Sequence, residues 1–159
     1  MTKIAKTNAM RILDKAKIEY TALIYTPNED DLSGTTVATQ IGLDAKVVFK
    51  TLTAKGDKTG VVVFCIPSCC ELDLKKAAKV SGNKSVELLH VKDLLSVTGY
   101  IRGGCSPVGM KKNYPVFIDE TALNFDKITV SAGIKGCQLL LSSSKFISFI
   151  NATVESLTT

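Results

Sequence analysis

Two apolar, β-rich runs, residues 47–54 (VVFKTLTA) and 61–67 (VVVFCIP), separated only by KGDKTG, constrain the fold of this chain more than any other feature. β-Branched and aromatic side chains suit a pleated, buried surface, and a short polar connection with two glycines suits a hairpin loop slightly longer than two residues. The remaining segments supply cover for such a hairpin. Residues 4–18 place Ala5, Ala9, Ile12, Leu13 and Ala16 near helical spacing. Ser33 or Thr35 can cap a short helix that runs to Gly42, beyond a polar loop at 26–33 (TPNEDDLS), and Asp73 can cap a helix through LKKAAKVSG that Gly82 ends. Further strands are expected at 20–25, 86–90, 116–119, 127–131 and 138–142, with helices at 91–97 and from Ser144. No repeat, low-complexity tract or linker interrupts this order. The sequence therefore predicts one domain over 1–159, of mixed α/β class, a mixed sheet with helices packed on it.

Composition removes several function classes. With 45% hydrophobic and 22% charged residues the chain is not a long disordered one, and its longest apolar run, 61–67, is too short to span a bilayer. Lys3, Lys6, Arg11, Asp14, Lys15 and Lys17 break up any signal-peptide core, so a cytoplasmic protein is expected. The formal charge of +5 favours a polyanionic partner. Arg11 and Arg102 are the only arginines, so guanidinium forks on phosphates or bases are few, and RNA contacts would rest on lysines and backbone amides. The five cysteines, an odd number, are read as reduced thiols. Cys65, Cys69 and Cys70 cluster, yet no C-x-x-C pair exists, and the single histidine, His90, reads as a surface or partly buried imidazole; no metal and no cofactor are expected.

Lys50 is the oddity of the first run. In period-two alternation Val48, Lys50 and Leu52 share one face and Val47, Phe49 and Thr51 the other, so an ammonium sits in a strand that is apolar on both sides. It must reach solvent, pair with a carboxylate or await an anionic ligand. An edge-strand or snorkelling lysine and a lysine at the floor of an anion site both satisfy that demand.

A second concentration of unusual residues is TGYIRGGCSPVG, residues 98–109. Gly103 and Gly104 open backbone conformations closed to other residues, and Pro107 fixes the chain after Ser106, so successive N–H groups can converge on an anion or a developing oxyanion. A plain structural turn would use the same residues. The spacing matches neither common nucleotide-binding glycine motif. Cys105 and Ser106 would need a base to act as nucleophiles, and the sole histidine is not evidently placed to help; Asp119 and Glu120 are the next carboxylates after the loop along the chain.

VFKTL, ELDLKKAAK, GYIRGGCSPVG and VSAG follow one another in an order and spacing that resembles the YbaK-type aminoacyl-tRNA deacylases, relatives of the editing domain of bacterial prolyl-tRNA synthetases. The resemblance covers nearly the whole chain. It implies a mixed α/β fold with a β-rich, partly barrel-like core and removal of a wrongly attached amino acid, typically cysteine, from tRNA for proline, without metal or cofactor. It places the family's required lysine on Lys50 and its substrate loop on Gly103, Gly104, Ser106 and Pro107. A pocket tyrosine falls on Tyr25, with Tyr20 as the competing alignment, and a small-residue turn falls on Ser131 and Gly133. The implied partners are the acceptor end of an aminoacyl-tRNA and a prolyl-tRNA synthetase, with no membrane and no DNA. The resemblance needs no protein nucleophile, because the substrate's own thiol, or water aided by the ribose hydroxyl, can attack the ester. Two other readings stay open: a non-catalytic module that binds acceptor ends or a synthetase, and a cysteine-dependent hydrolase. Ser68-Cys69-Cys70 departs from the pattern and has no assigned role.

Overall fold

The computed structural model describes residues 5–27 and 33–159. Residues 28–32, most of the polar loop expected at 26–33, lie outside them. Local signals start and stop most elements. The Thr7 hydroxyl accepts the Met10 amide and opens α1 (Asn8–Lys15), which buries Ala9, Met10 and Leu13. After β1 (Tyr20–Ile24), Ser33 caps α2 (Gly34–Ile41), and Gly42 ends it in the left-handed region at φ 74°. The two apolar runs form β2 (Phe49–Gly56) and β3 (Gly60–Pro67), an antiparallel hairpin that opposes Phe49 to Pro67 and Gly56 to Gly60. Asp73 caps α3 (Leu74–Ser81) through the amides of Lys75 and Lys76, and Gly82 stops it. The chain continues through β4 (Val86–Leu88), α4 (Val91–Thr98), the glycine loop, β5 (Val116–Asp119), a 3-10 turn (Glu120–Asn124), β6 (Lys127–Ser131), β7 (Cys137–Ser142), α5 (Ser143–Ile150) and β8 (Thr153–Glu155).

These strands make two sheets, one ordered β1-β7-β6 and antiparallel, the other ordered β4-β2-β3-β5-β8 and mixed, with β5 parallel to both β3 and β8. They join at an isolated bridge between Val48 and Thr129, where the Thr129 amide donates to the Val47 carbonyl at 2.8 Å. The architecture is the expected mixed α/β one, and among the described residues no closed barrel forms. None of the described helices is long and apolar enough to cross a membrane.

β3 explains its own unbroken apolar sequence. Val63 and Cys65 enter a larger core with Leu13, Phe49, Ile118, Leu139 and Phe146, while Val62, Phe64 and Ile66 enter a smaller one with Ala77, Ala78 and Leu157. A strand buried on both faces loses the alternation of a surface strand. The bridge that joins the sheets lies at the end of the hairpin where Lys50 begins its strand.

Candidate active site

Lys50 opens onto a cavity of about 440 Å³ at that junction. Its side chain is half-buried, and no carboxylate of the described residues lies within salt-bridge distance of it. Of the three fates for a charge in an apolar strand, pairing with a carboxylate is therefore not met among the described residues. The other cationic group on the cavity is the exposed Arg102, and no acidic side chain of the described residues lines it. A concave, partly apolar space with two cations and no anion among the described residues favours a negatively charged guest.

The glycine loop forms the opposite wall and is held in shape by its own polar groups. Gly99, at φ 87°, turns the chain out of α4, and the Thr98 hydroxyl accepts the Tyr100 amide at 3.0 Å while donating to the Leu94 carbonyl. The Tyr100 hydroxyl donates to the Val108 carbonyl across the loop. Gly103, at φ 86°, lines the cavity, and a side chain there would be strained. The Gly104 amide is taken by the Ile101 carbonyl at 3.0 Å, which removes it from the set of donors expected to face a ligand. The amides of Gly103, Cys105 and Ser106 have no acceptor among the described residues.

The sequence-predicted residues divide into two groups. Lys50, Tyr25, Gly103 and Ser131 line the cavity together. Gly104, Ser106, Pro107 and Gly133 do not. Gly104 packs against the turn after β6, where an added Cβ would lie 3.0 Å from the Ile134 carbonyl carbon; a Cβ on Gly133, at φ 99°, would lie 2.9 Å from the Tyr100 ring. These two glycines let the loop and the turn interlock. Ser106 is fully buried and accepts the Val108 amide at 3.2 Å, and Pro107 faces a separate surface depression with Asn8 and Ile12. Tyr25 extends β1 to the cavity, its amide donating to the Gly136 carbonyl at 2.9 Å. Tyr20, five residues earlier, packs on the larger core beside Asp14, away from the cavity.

Sequence reasoning missed Arg102, Ser68, Thr36 and Gln138 as cavity residues. Gln138 carried a signal of the same kind as Lys50: a polar side chain inside the apolar strand CQLLL. It is buried, its Oε1 accepting from the Thr129 hydroxyl at 3.0 Å, which fixes the amide at the cavity wall.

No protein nucleophile is set up for attack. Cys105 lines the cavity, but burial pushes its thiol up, against the favourable hydroxyls of Thr53 and Thr98, and no imidazole lines the space. A thiol held above its ordinary value without a base stays protonated at neutral pH. Burial drives the thiol of Cys65, within β3 of the hairpin, up to about 12. Among the described residues no group of three or more His, Cys, Asp or Glu could hold a metal ion.

The sequence model of the aminoacyl-tRNA editing domain matches residues 26–149, a span that contains every residue of the cavity except Tyr25. Over 97% of its length the chain is 49% identical to the "Putative Cys-tRNA(Pro)/Cys-tRNA(Cys) deacylase EbsC" of Enterococcus faecalis, covering 94% of that protein. It is also 24% identical, over 70% of the chain and 71% of the other, to the uncharacterised protein YwhH of Bacillus subtilis. Among solved structures, a "putative trans-editing enzyme for prolyl tRNA synthetase" superimposes with a TM-score of 0.80 at 21% identity, over 95% of this chain and 96% of that one. At that identity the likeness speaks to the fold.

Proposed function

The chain belongs to the aminoacyl-tRNA editing domain family, and on that premise we propose that it is an aminoacyl-tRNA deacylase acting in trans, with cysteinyl-tRNA for proline as its substrate. The observation that carries this reading is the cavity itself. It joins Lys50, unpaired with any described carboxylate, to a glycine loop whose Gly103 and Cys105 amides lack acceptors among the described residues, and those residues supply no activated protein nucleophile. The terminal nucleotide of a charged tRNA brings what those groups lack: a phosphate, a ribose and an ester carbonyl.

In this reading Lys50 and Arg102 hold the phosphate or ribose of the terminal nucleotide. The amides of Gly103 and Cys105 receive the carbonyl oxygen as it becomes negative, a contribution of about 10²–10³ in rate per donor in comparable sites. Tyr25 and Ser131 bound the aminoacyl group. The attacking atom comes from the substrate: the cysteine sulfur bonds to the carbonyl carbon, the ester C–O bond breaks, and the thiol proton leaves with the ribose oxygen as a hydroxyl. The resulting four-membered thiolactone then opens in water to cysteine. Holding sulfur and carbonyl in reacting geometry replaces a bimolecular encounter, worth roughly 7–11 kcal/mol in the best intramolecular cases. A synthetase partner would supply the mischarged tRNA.

The test is a panel of cysteinyl-, seryl- and alanyl-tRNA for proline at substoichiometric protein. A pocket separates such small side chains by only about 10–200-fold, so comparable binding with much faster release of cysteine is expected. Retention of charged tRNA without turnover would identify a binding module instead. Equal rates for cysteinyl and alanyl substrates would replace the thiol route with attack by water.

A further inference from the structure

Five thiols are present, and two of them differ from the rest. Cys65, Cys105 and Cys137 are buried, whereas Cys69 is exposed and Cys70 half-buried, with their sulfurs 3.9 Å apart. These adjacent residues sit in the turn between β3 and α3, where the Cys70 amide donates to the Pro67 carbonyl at 3.0 Å. The turn is tied to the candidate active site through Ser68. That residue lines the cavity; its amide donates to the Val48 carbonyl at 2.7 Å, and its hydroxyl to the Ala45 carbonyl at 3.0 Å. Val48 is two residues before Lys50, and the Lys50 ammonium is close enough to act on the Cys70 thiol. Burial and the neighbouring Cys69 thiol push Cys70 up, with Asp119 adding to the rise and Lys50 opposing it. The exposed Cys69 is thus the thiol that meets a reagent first, and Cys70 is its protonated neighbour.

We propose that Cys69 and Cys70 form a reversible dithiol–disulfide site at the cavity rim, oxidised by hydrogen peroxide, and that closing the disulfide lowers turnover; the second part rests on the deacylase reading above. The Cys69 sulfur attacks one peroxide oxygen, the O–O bond breaks, and water leaves, giving a sulfenic acid. The Cys70 sulfur then attacks the Cys69 sulfur, expelling the hydroxyl, which departs with the Cys70 proton as a second water. Two thiols lose two electrons, and one peroxide becomes two waters.

The geometry makes this bond both accessible and easily reversed. The sulfurs must close from 3.9 Å to about 2.05 Å, which moves the turn. Adjacent Cα atoms are about 3.8 Å apart, below the usual disulfide range of roughly 4.4–6.8 Å, and a strained disulfide is readily reduced. The displacement is passed to Ser68, whose two hydrogen bonds hold the strand start beside Lys50. Oxidation therefore acts on the shape of the cavity wall.

Protein treated with hydrogen peroxide, quenched with N-ethylmaleimide, unfolded and digested tests the first part by mass spectrometry. The peptide spanning Cys69 and Cys70 is expected two hydrogens lighter and unlabelled at both positions, with Cys65, Cys105 and Cys137 still labelled after unfolding. Deacylation by the same sample should fall about tenfold, since shifting reacting groups by an ångström costs up to about 10² in rate, and dithiothreitol should restore it. Cys69→Ser and Cys70→Ser should keep the parent rate before and after peroxide. Full labelling of both positions after treatment overturns the site, whether or not the protein deacylates anything. A disulfide that forms without changing the rate overturns its control of the cavity. Untreated protein with no deacylase activity counts against the functional reading and leaves the labelling result to decide the thiol pair.

Discussion

The two ends of the β2–β3 hairpin use polar groups in opposite ways. At the turn, the Asn83 side chain is satisfied on every side: Oδ1 accepts the amides of Lys58 and Thr59 at 2.9 and 3.0 Å, and Nδ2 donates to the hydroxyls of Thr59 and Ser81, both at 2.9 Å. Asp57 accepts the amides of Lys84 and Ser85 at 2.9 and 3.1 Å. At the open end Lys50 has no described carboxylate partner, and the Gly103 and Cys105 amides of the loop on the cavity have no acceptor among the described residues. Polar groups that satisfy one another hold a fold together; polar groups left over at a cavity await a ligand. The comparison predicts that the open end can be altered at the expense of activity and the turn end at the expense of stability.

Lys50→Ala is the sharpest cut. It should reduce deacylation by at least about 10²–10³-fold, as loss of one electrostatic contact to a reacting group does, while circular dichroism and the melting temperature stay near the parent's. Activity within threefold of the parent would remove Lys50 from the site. Gly103→Val comes next, because a branched side chain at φ 86° strains the loop where it lines the cavity; a loss of roughly tenfold or more is expected. Cys105→Ala, two residues on, should retain turnover, since its thiol is protonated and lacks a base. Inactive Cys105→Ala protein with a normal melting temperature would restore the cysteine-dependent reading.

The opposite end is tested by Gly56→Ala. An added Cβ would stand 2.3–2.4 Å from the Asn83 amide atoms, so Asn83 must leave the position in which it makes four hydrogen bonds. Stranding such groups costs about 1–3 kcal/mol, read as a lower denaturant midpoint, while turnover per folded molecule is unchanged. A fall in activity without a fall in stability would mean that the two ends are not separable.

What could be read from the sequence follows the same division. Caps at Ser33 and Asp73, stops at Gly42 and Gly82, and the hairpin are set by a few neighbouring residues, and each was legible. Strand β8 was not, because three residues carry no period and it exists only through its pairing with β5. Lys50 announced itself as a charge in an apolar strand. The distinction between Gly103 and Gly104 could not be read locally, since what separates them is the Ile134 backbone, thirty positions on from Gly104, that packs against one of them. Arg102, Thr36 and Ser68 are ordinary polar residues in sequence, and the tertiary fold alone gathers them around one cavity. Tyr25 and Tyr20 competed on alignment, and an odd offset along one extended segment separates them, one reaching the cavity and the other the core beside Asp14.

Asp57→Asn should have the smallest effect, and it tests the turn end through pH. The Ser85 amide, followed by that of Lys84, holds the Asp57 carboxyl below its usual 3.8, against the opposing effect of burial. A carboxylate whose folded value is depressed binds fewer protons folded than unfolded, so its stabilisation is present above the unfolded value and is lost as pH falls through the lower folded one. Asparagine keeps an acceptor for the two amides but cannot titrate. Thermal unfolding followed from pH 5 downward should therefore show a shallower acid decline for Asp57→Asn than for the parent, with nearly equal melting temperatures below the folded value and deacylation at neutral pH unchanged. Parallel acid limbs in the two proteins would show that the amide contacts at the turn do not favour the charged carboxylate, and would weaken the claim that this end of the hairpin is held by its polar network.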